Sequence, residues 1–267
     1  MIADFRGKAV LVTGGTMGIG LATGLAFGRR GAQCYLTYKW GSADEDEVRG
    51  AFADAGAPEP RLVRADVSVD EDLEPLLDEI DREHGSVEVL VGNVSFSLVT
   101  NDLEDYRKRS LFKSIEYSAW PLFSYLEAIH ARFGRYPRYA LGISSYGPDR
   151  FHVGYDFAAS SKAVMETLCR YASCRLNDED CRINVLRTGG VWTASLDATF
   201  GSEFRKWSTR LTKEGHFLTP DLIGNTAVAL CSGLMDGVRG QVLTVDRGTT
   251  FFDNLMRIYD ERETLRL

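Results

Sequence analysis

Long apolar runs are missing from this chain of 267 residues. No stretch approaches the roughly 18 residues that a membrane-spanning helix requires. The opening MIADFRGK carries an acid and no apolar leader core, so neither insertion nor secretion is expected. Runs of Lys and Arg are equally scarce. The formal charge is -7 and the pI about 5.2, which leaves no basic face for a polyanion and argues against a nucleic-acid partner. Paired cysteine spacing is absent too. Cys34, Cys169, Cys174, Cys181 and Cys231 stand in apolar or helical contexts without a CxxC, so the expectation is reduced thiols in a cytoplasmic enzyme, with neither a disulfide framework nor a metal. The four histidines form no cluster; His152, a side chain of the type that switches charge near physiological pH, reads as a loop contact rather than a catalyst. With no linker, repeat or low-complexity segment, and 44% hydrophobic content, residues 1–267 are expected to form one domain.

What is present is an alternation of short apolar runs and helical patterns. Lys8 to Thr13 (KAVLVT) leads into Gly14, Gly15, Thr16, Met17, Gly18, Ile19 and Gly20, then a helix-like LATGLAFGRRG. Strand, glycine turn and helix make a nucleotide site: the turn lets a diphosphate approach the backbone, and the helix start offers unpaired amides at the positive end of its dipole. Ala32 to Tyr38 reads as a second strand. At its end, where a carboxylate would hold the ribose of NAD, stand Tyr38 and then Lys39. Lys39 is placed to meet a 2'-phosphate, so NADPH is favoured over NADH, although Met17 is not the basic residue many NADP sites carry; a solvated loop charge is the plainer reading of Lys39. Acids at 44–47 open a helix through Val48 and Phe52. Leu62 to Ala65 is a third strand with Asp66 and Val67 at its end, able to bracket an adenine. A helix over 70–84 and a strand over 87–91 follow, then Gly92 and Asn93, the latter a candidate ribose contact. A helical region from Ser110 to Phe133 is interrupted by Pro121. The pattern specifies an α/β fold: one Rossmann-like, doubly wound parallel sheet with helices on both faces and its crevice at the strand carboxyl ends.

Function is decided between Ser144 and Lys162, SSYGPDRFHVGYDFAASSK. Ser145 ends an apolar strand begun at Tyr139, and Lys162 lies on a helix continuing through Val164, Leu168 and Tyr171. Tyr155 precedes the lysine by seven residues, and the position four before it is Ala158.

The order TGxxxGxG, Asp-Val, Asn, Ser, Tyr, Lys resembles the short-chain dehydrogenase/reductase family over nearly the whole chain, with GQVLTVDRG (240–248) similar to its last strand. The common YxxxK is broken at Ala158. Tyr155, six residues and Lys162 are similar to the enoyl-acyl-carrier-protein reductase branch. Gly92 to Phe96, Tyr117 to Trp120 and Thr188 to Thr193 depart from the common pattern in the same direction. The resemblance implies catalytic Tyr155, Lys162 and Ser145, with Tyr146 as a competing acid, and cofactor contacts from Gly189, Val191 and Thr193. Ser145, seventeen residues before Lys162, takes the family's catalytic serine position, leaving Ser144 structural. It also implies a homotetramer or homodimer.

Chemistry supplies a reason for the changed spacing. Reducing a carbonyl puts hydride on the carbon whose oxygen needs the proton. Reducing an enoyl thioester puts hydride on the β-carbon and charge on an oxygen several bonds away. Moving the phenol three residues upstream shifts its helix anchor by about 4.5 Å, toward that remote oxygen. By this reading Tyr155 stabilises an enolate oxygen and Lys162 holds the nicotinamide ribose. Residues 194–217 are expected to cover the substrate. Phe204, Trp207 and Leu211 would shelter an acyl chain, and Arg205, Lys206, Arg210 and Lys213 would meet phosphopantetheine, CoA phosphates or an acidic carrier; an amphipathic lid with solvated charges is the plainer account. Phe251, Phe252 and Tyr259 would pack on a neighbouring subunit. Three functions stay open: an NADPH-dependent enoyl-thioester reductase; an atypical carbonyl reductase, for instance of a polyketide-like substrate; and a catalytically silent nucleotide-binding subunit that has lost the usual tyrosine and acts by binding a partner.

Overall fold

The computed structural model describes residues 3–39, 44–194, 196–197, 201–212 and 216–265, without the side chains of Ser202 and Leu211. Seven parallel strands form one sheet: β1 (Ala9–Val12), β2 (Gln33–Tyr38), β3 (Arg61–Arg64), β4 (Val89–Gly92), β5 (Tyr139–Ser145), β6 (Arg182–Thr188) and β7 (Val242–Val245), in the order β3-β2-β1-β4-β5-β6-β7. The helices are α1 (Gly18–Gly28), α2 (Glu45–Asp54), α3 (Leu73–His84), α4 (Lys108–Ser118), α5 (Trp120–Phe133), α6 (Asp156–Arg175), α7 (Ser202–Leu211), α8 (Pro220–Leu230), α9 (Asn254–Asp260) and α10 (Arg262–Leu265). The doubly wound expectation holds. The central strands β1 and β4 are buried throughout their apolar runs because helices cover both faces. On one face Leu36, Phe27 and Phe52 pack with Ile223; on the other Leu76, Ile80, Leu122, Ile129 and Met165 do. Among the described residues no helix is long and apolar enough to cross a membrane.

Two boundaries differ from the sequence reading for local reasons. The helix over 70–84 begins as a 3-10 turn (Asp70–Asp72) before α3, which ends on Gly85 at φ 62°. The region 110–133 breaks at Ala119, not at Pro121, because proline, lacking an N–H, is tolerated in the first turn of the new helix.

Helices α1 and α8 cross at backbone contact. A Cβ built on Gly224 would lie 2.6 Å from the carbonyl oxygen of Ala22 and 3.1 Å from Cα of Thr23. Neither atom can yield without moving α1, whose N-terminus forms the nucleotide turn. Gly224→Val is therefore expected to cost roughly 1–3 kcal/mol of unfolding free energy, read by chemical denaturation.

Candidate active site

Strand order reverses between β1 and β4, so the connections leaving their carboxyl ends diverge and open a crevice. A cleft of about 500 Å³ occupies it. Gly14, Thr16, Met17, Gly18 and Ile19 line its near wall. The turn is made by Gly14 at φ 61° and Gly18 at φ 54°, both in the left-handed region. Met17, the N-cap of α1, provides no side-chain cap, so the first amides of the helix keep their donors for a ligand. Gly20 lies under the turn rather than on the cleft. These uncapped amides and the long, mixed-polarity cleft fit a dinucleotide.

At the far end Tyr38, Lys39, Asp66 and Val67 line the cleft. The Lys39 ammonium is not spread into solvent: it ion-pairs with Asp66 and donates to the Tyr117 hydroxyl at 2.7 Å. The Tyr38 hydroxyl donates to Glu45. Asn93 also lines the cleft, but its amide nitrogen donates to the carbonyls of Thr13 and Gly14 at 3.1 and 3.0 Å. That nitrogen staples β4 to the glycine turn, while Asn93 keeps its place on the cleft wall as a candidate ribose contact.

Helical geometry builds the reacting wall. Residues 155, 158 and 162 are spaced i, i+3, i+7, which puts them on one face, and Tyr155, Ala158 and Lys162 all line the cleft. Tyr155 is the N-cap of α6, and its phenol donates to Ser145 Oγ at 3.1 Å. Burial pushes the phenol up, opposed by the Ser145 hydrogen bond, so it stays protonated at neutral pH. Lys162 is only 3% exposed, and burial lowers its pKa to about 8, with the Glu166 carboxylate acting in the opposite direction. A neutral phenol, a hydroxyl and an ammonium thus converge on one wall.

Tyr146 goes elsewhere. It lines neither this cleft nor the smaller hollow of about 370 Å³ outside Tyr155. Its buried hydroxyl sits beside Gly189, where a Cβ would meet it at 3.1 Å, and burial together with the Asp246 carboxylate pushes it up. In this arrangement Tyr155 rather than Tyr146 lines the cleft. Gly189 and Val191 do not line the cleft either, Val191 being buried against the core, whereas Thr193 does. The loop carrying Tyr155 is tied down from outside: Arg150 donates to the carbonyl of Thr250 at 2.6 Å, and Thr250 in turn donates from its amide to Asp246 at 2.8 Å.

In the segment expected to cover the substrate, the described aromatic residues pack against one another and against Trp192. Trp192 stacks on Phe217 at 3.8 Å, and Phe204 meets Phe217 edge-on at 6.2 Å. Trp207 is 57% exposed, and no residue of α7 lines the cleft, so the expected acyl shelter from Phe204 and Trp207 is not formed in this arrangement. Arg205 pairs with Asp197 and covers Trp192, and Lys206 pairs with Glu203. Lys213 and the Leu211 side chain lie outside the described residues. Phe251, Phe252 and Tyr259 are exposed.

A family model described as enoyl-(acyl carrier protein) reductase matches residues 14–250. The chain belongs to that family. It is an NAD(P)H-dependent oxidoreductase of the short-chain dehydrogenase/reductase type. The enoyl-acyl-carrier-protein reductase (NADH) of Aquifex aeolicus is 26% identical to it over 275 residues, covering 98% of this chain and 96% of that protein. The chloroplastic NADPH-dependent aldehyde reductase 1 of Arabidopsis thaliana is 24% identical over 206 residues, covering 74% and 70%. Among solved structures, a 7α-hydroxysteroid dehydrogenase complexed with NADH and 7-oxo glycochenodeoxycholic acid matches with a TM-score of 0.79 at 24% identity, covering 92% of this chain and 95% of that one. These relatives share a fold and a nicotinamide cofactor while differing in the bond reduced.

Several residues that shape the site carry no local sequence signal. Ser118 accepts from the Phe96 amide at 2.8 Å and donates to the Phe96 carbonyl at 3.0 Å, fixing the loop after β4. Glu166, one helical turn beyond Lys162, accepts from Ser144 Oγ at 2.6 Å and from Arg187 Nε at 3.0 Å. Arg187 also pairs with Asp149. Helical periodicity alone points to Glu166, as i+4 from Lys162; nothing local points to Arg187.

Proposed function

We propose that this protein reduces an α,β-unsaturated acyl thioester, carried on CoA or a carrier protein, with NADPH as the reductant. The observation that carries this reading is the Tyr155–Ala158–Lys162 stripe. The wall holds no phenol at the position four residues before the lysine, and the phenol it does hold is one turn upstream, anchored by Ser145 at 3.1 Å. When bound, the reduced nicotinamide supplies hydride. Tyr155 turns its one O–H from Ser145 Oγ to the thioester oxygen, where negative charge develops as the β-carbon is reduced, and Ser145 then donates its own O–H to the phenol oxygen. Ser145 fixes the phenol. Lys162 holds the nicotinamide ribose and lends positive potential to the same region.

NADPH is favoured because no carboxylate ends β2, where Tyr38 and Lys39 stand. The Lys39 ammonium is held at the cleft wall by Asp66 and Tyr117, so a 2'-phosphate competes with a carboxylate for it, and a modest preference is expected. Consumption of reduced cofactor, followed by absorbance with crotonyl-CoA and with simple ketones, tests the reading. Turnover of the thioester with a lower KM for NADPH than for NADH is expected. Turnover of ketones alone overturns it in favour of a carbonyl reductase, and cofactor binding without turnover of either points to a silent subunit.

A further inference from the structure

Beneath the reacting wall lies a charged network that the chemistry above does not use. Glu166 is 4% exposed and sits on α6 one turn after Lys162. Its carboxylate collects Ser144 from the end of β5 and the Arg187 guanidinium from β6. Arg187 passes on to Asp149 in the loop that leads from β5 to Tyr155. Four elements of the site therefore meet at one carboxylate.

An acid so deeply buried is costly unless it is paired and hydrogen-bonded. Arg187 neutralises it, and hydrophobic packing would have filled the space without that expense. The placement has a specific consequence for Lys162, since an ammonium shut away from water loses its proton readily unless a negative charge stands near.

We infer that Glu166 is a positioning residue: its carboxylate keeps Lys162 in the ammonium form that holds the cofactor, and through Ser144 and Arg187 it locks the end of β5 against α6. This rests on the reading that Lys162 serves the nicotinamide ribose, and is indifferent to which bond is reduced.

Several titratable groups lie on α6 and on the elements packed against it. From α6 come Glu166, the protonated Tyr155 and the buried thiol of Cys169; from β6 comes Arg187; from the β5–α6 loop come Asp149, bound to Arg187, and His152, which burial and Arg150 push down. From α4 comes Tyr117, engaged with the Lys39–Asp66 pair across the cleft. Beyond β6, Asp246 lies against Tyr146 and Thr250. Glu166 is the charge that opposes burial at Lys162.

The test is the dissociation constant of reduced cofactor, read by its fluorescence between about pH 6 and pH 10, which span the titration of such a lysine. In the wild type, affinity should fall as pH rises through about 8, where Lys162 gives up its proton. Glu166→Gln keeps the shape but removes the carboxylate and leaves Arg187 paired with Asp149 alone, so the midpoint should drop by about one pH unit. Arg187→Met leaves the carboxylate unneutralised, so the midpoint should rise. Glu166→Asp should restore part of the wild-type profile. A role in packing alone moves the two midpoints together or not at all, and either result overturns the inference. Where Arg187→Met fails to fold, an unshifted midpoint in Glu166→Gln suffices to overturn it. A wild type that binds no cofactor at any pH instead overturns the role given to Lys162 itself.

Discussion

Tyr155→Phe lowers kcat for the thioester by about 100- to 1,000-fold, the loss seen when one preorganised donor to a developing oxyanion is removed, or roughly 2.7–4 kcal/mol. Affinity for the reduced cofactor stays close to wild type, because the ribose contact is proposed for Lys162 and not for the phenol. Folding is spared as well. Phenylalanine fills the same space, and Ser145 Oγ, which loses the phenol, still accepts from the Gly147 amide at 3.4 Å. Steady-state kinetics beside a fluorescence titration of cofactor separates the two effects. The same exchange at Tyr146, whose hydroxyl is buried beside Gly189 and Asp246, is expected to leave kcat near wild type. An unchanged kcat in Tyr155→Phe removes the phenol from the mechanism, and a large loss in Tyr146→Phe moves the acid there.

Gly20→Ala is expected to weaken cofactor binding by about 10- to 100-fold, or roughly 1.4–2.8 kcal/mol. Two effects compete at this position. Alanine gains up to about 1 kcal/mol of helix propensity over glycine. Against it, the new Cβ would lie 2.2 Å from the carbonyl oxygen of Gly14 and 2.7 Å from Asn93 Nδ2. Those atoms are the backbone of the diphosphate turn and the staple to β4, and overpacking of this kind costs roughly 1–3 kcal/mol. Sterics therefore win, and the turn must open just where a diphosphate is to be gripped. Titration with reduced cofactor, together with thermal unfolding, gives both numbers; full affinity in a normally folded variant refutes the close-approach account.

The nucleotide half of the fold was readable because its signals are local. A strand, a glycine turn and a helix occupy consecutive residues, and β1 and α1 form there. The Tyr155–Lys162 wall was readable for the same reason, since seven residues along one helix return to one face. What escaped depends on pairings between distant segments. Lys39 reads as a cation awaiting phosphate until β2 and β3 lie side by side and bring Asp66 to it, with Tyr117 arriving from α4. Asn93 reads as a ligand contact, and its second role shows only when β4 is placed beside β1 and its amide finds the carbonyls of the turn. Glu166 looks like an ordinary helix acid; only the pairing of β5 with β6 brings Arg187 and Ser144 to it. Tyr146 and Tyr155 leave the same loop, and their opposite fates were settled by burial against Gly189, which no spacing encodes.

The Arg150–Thr250 bond links two stretches of chain a hundred residues apart. One belongs to the loop that presents the Tyr155 phenol; the other follows the last strand of the sheet. The stretch after the last strand thus helps to hold that loop in place, and removing the Arg150 side chain would cut the tie.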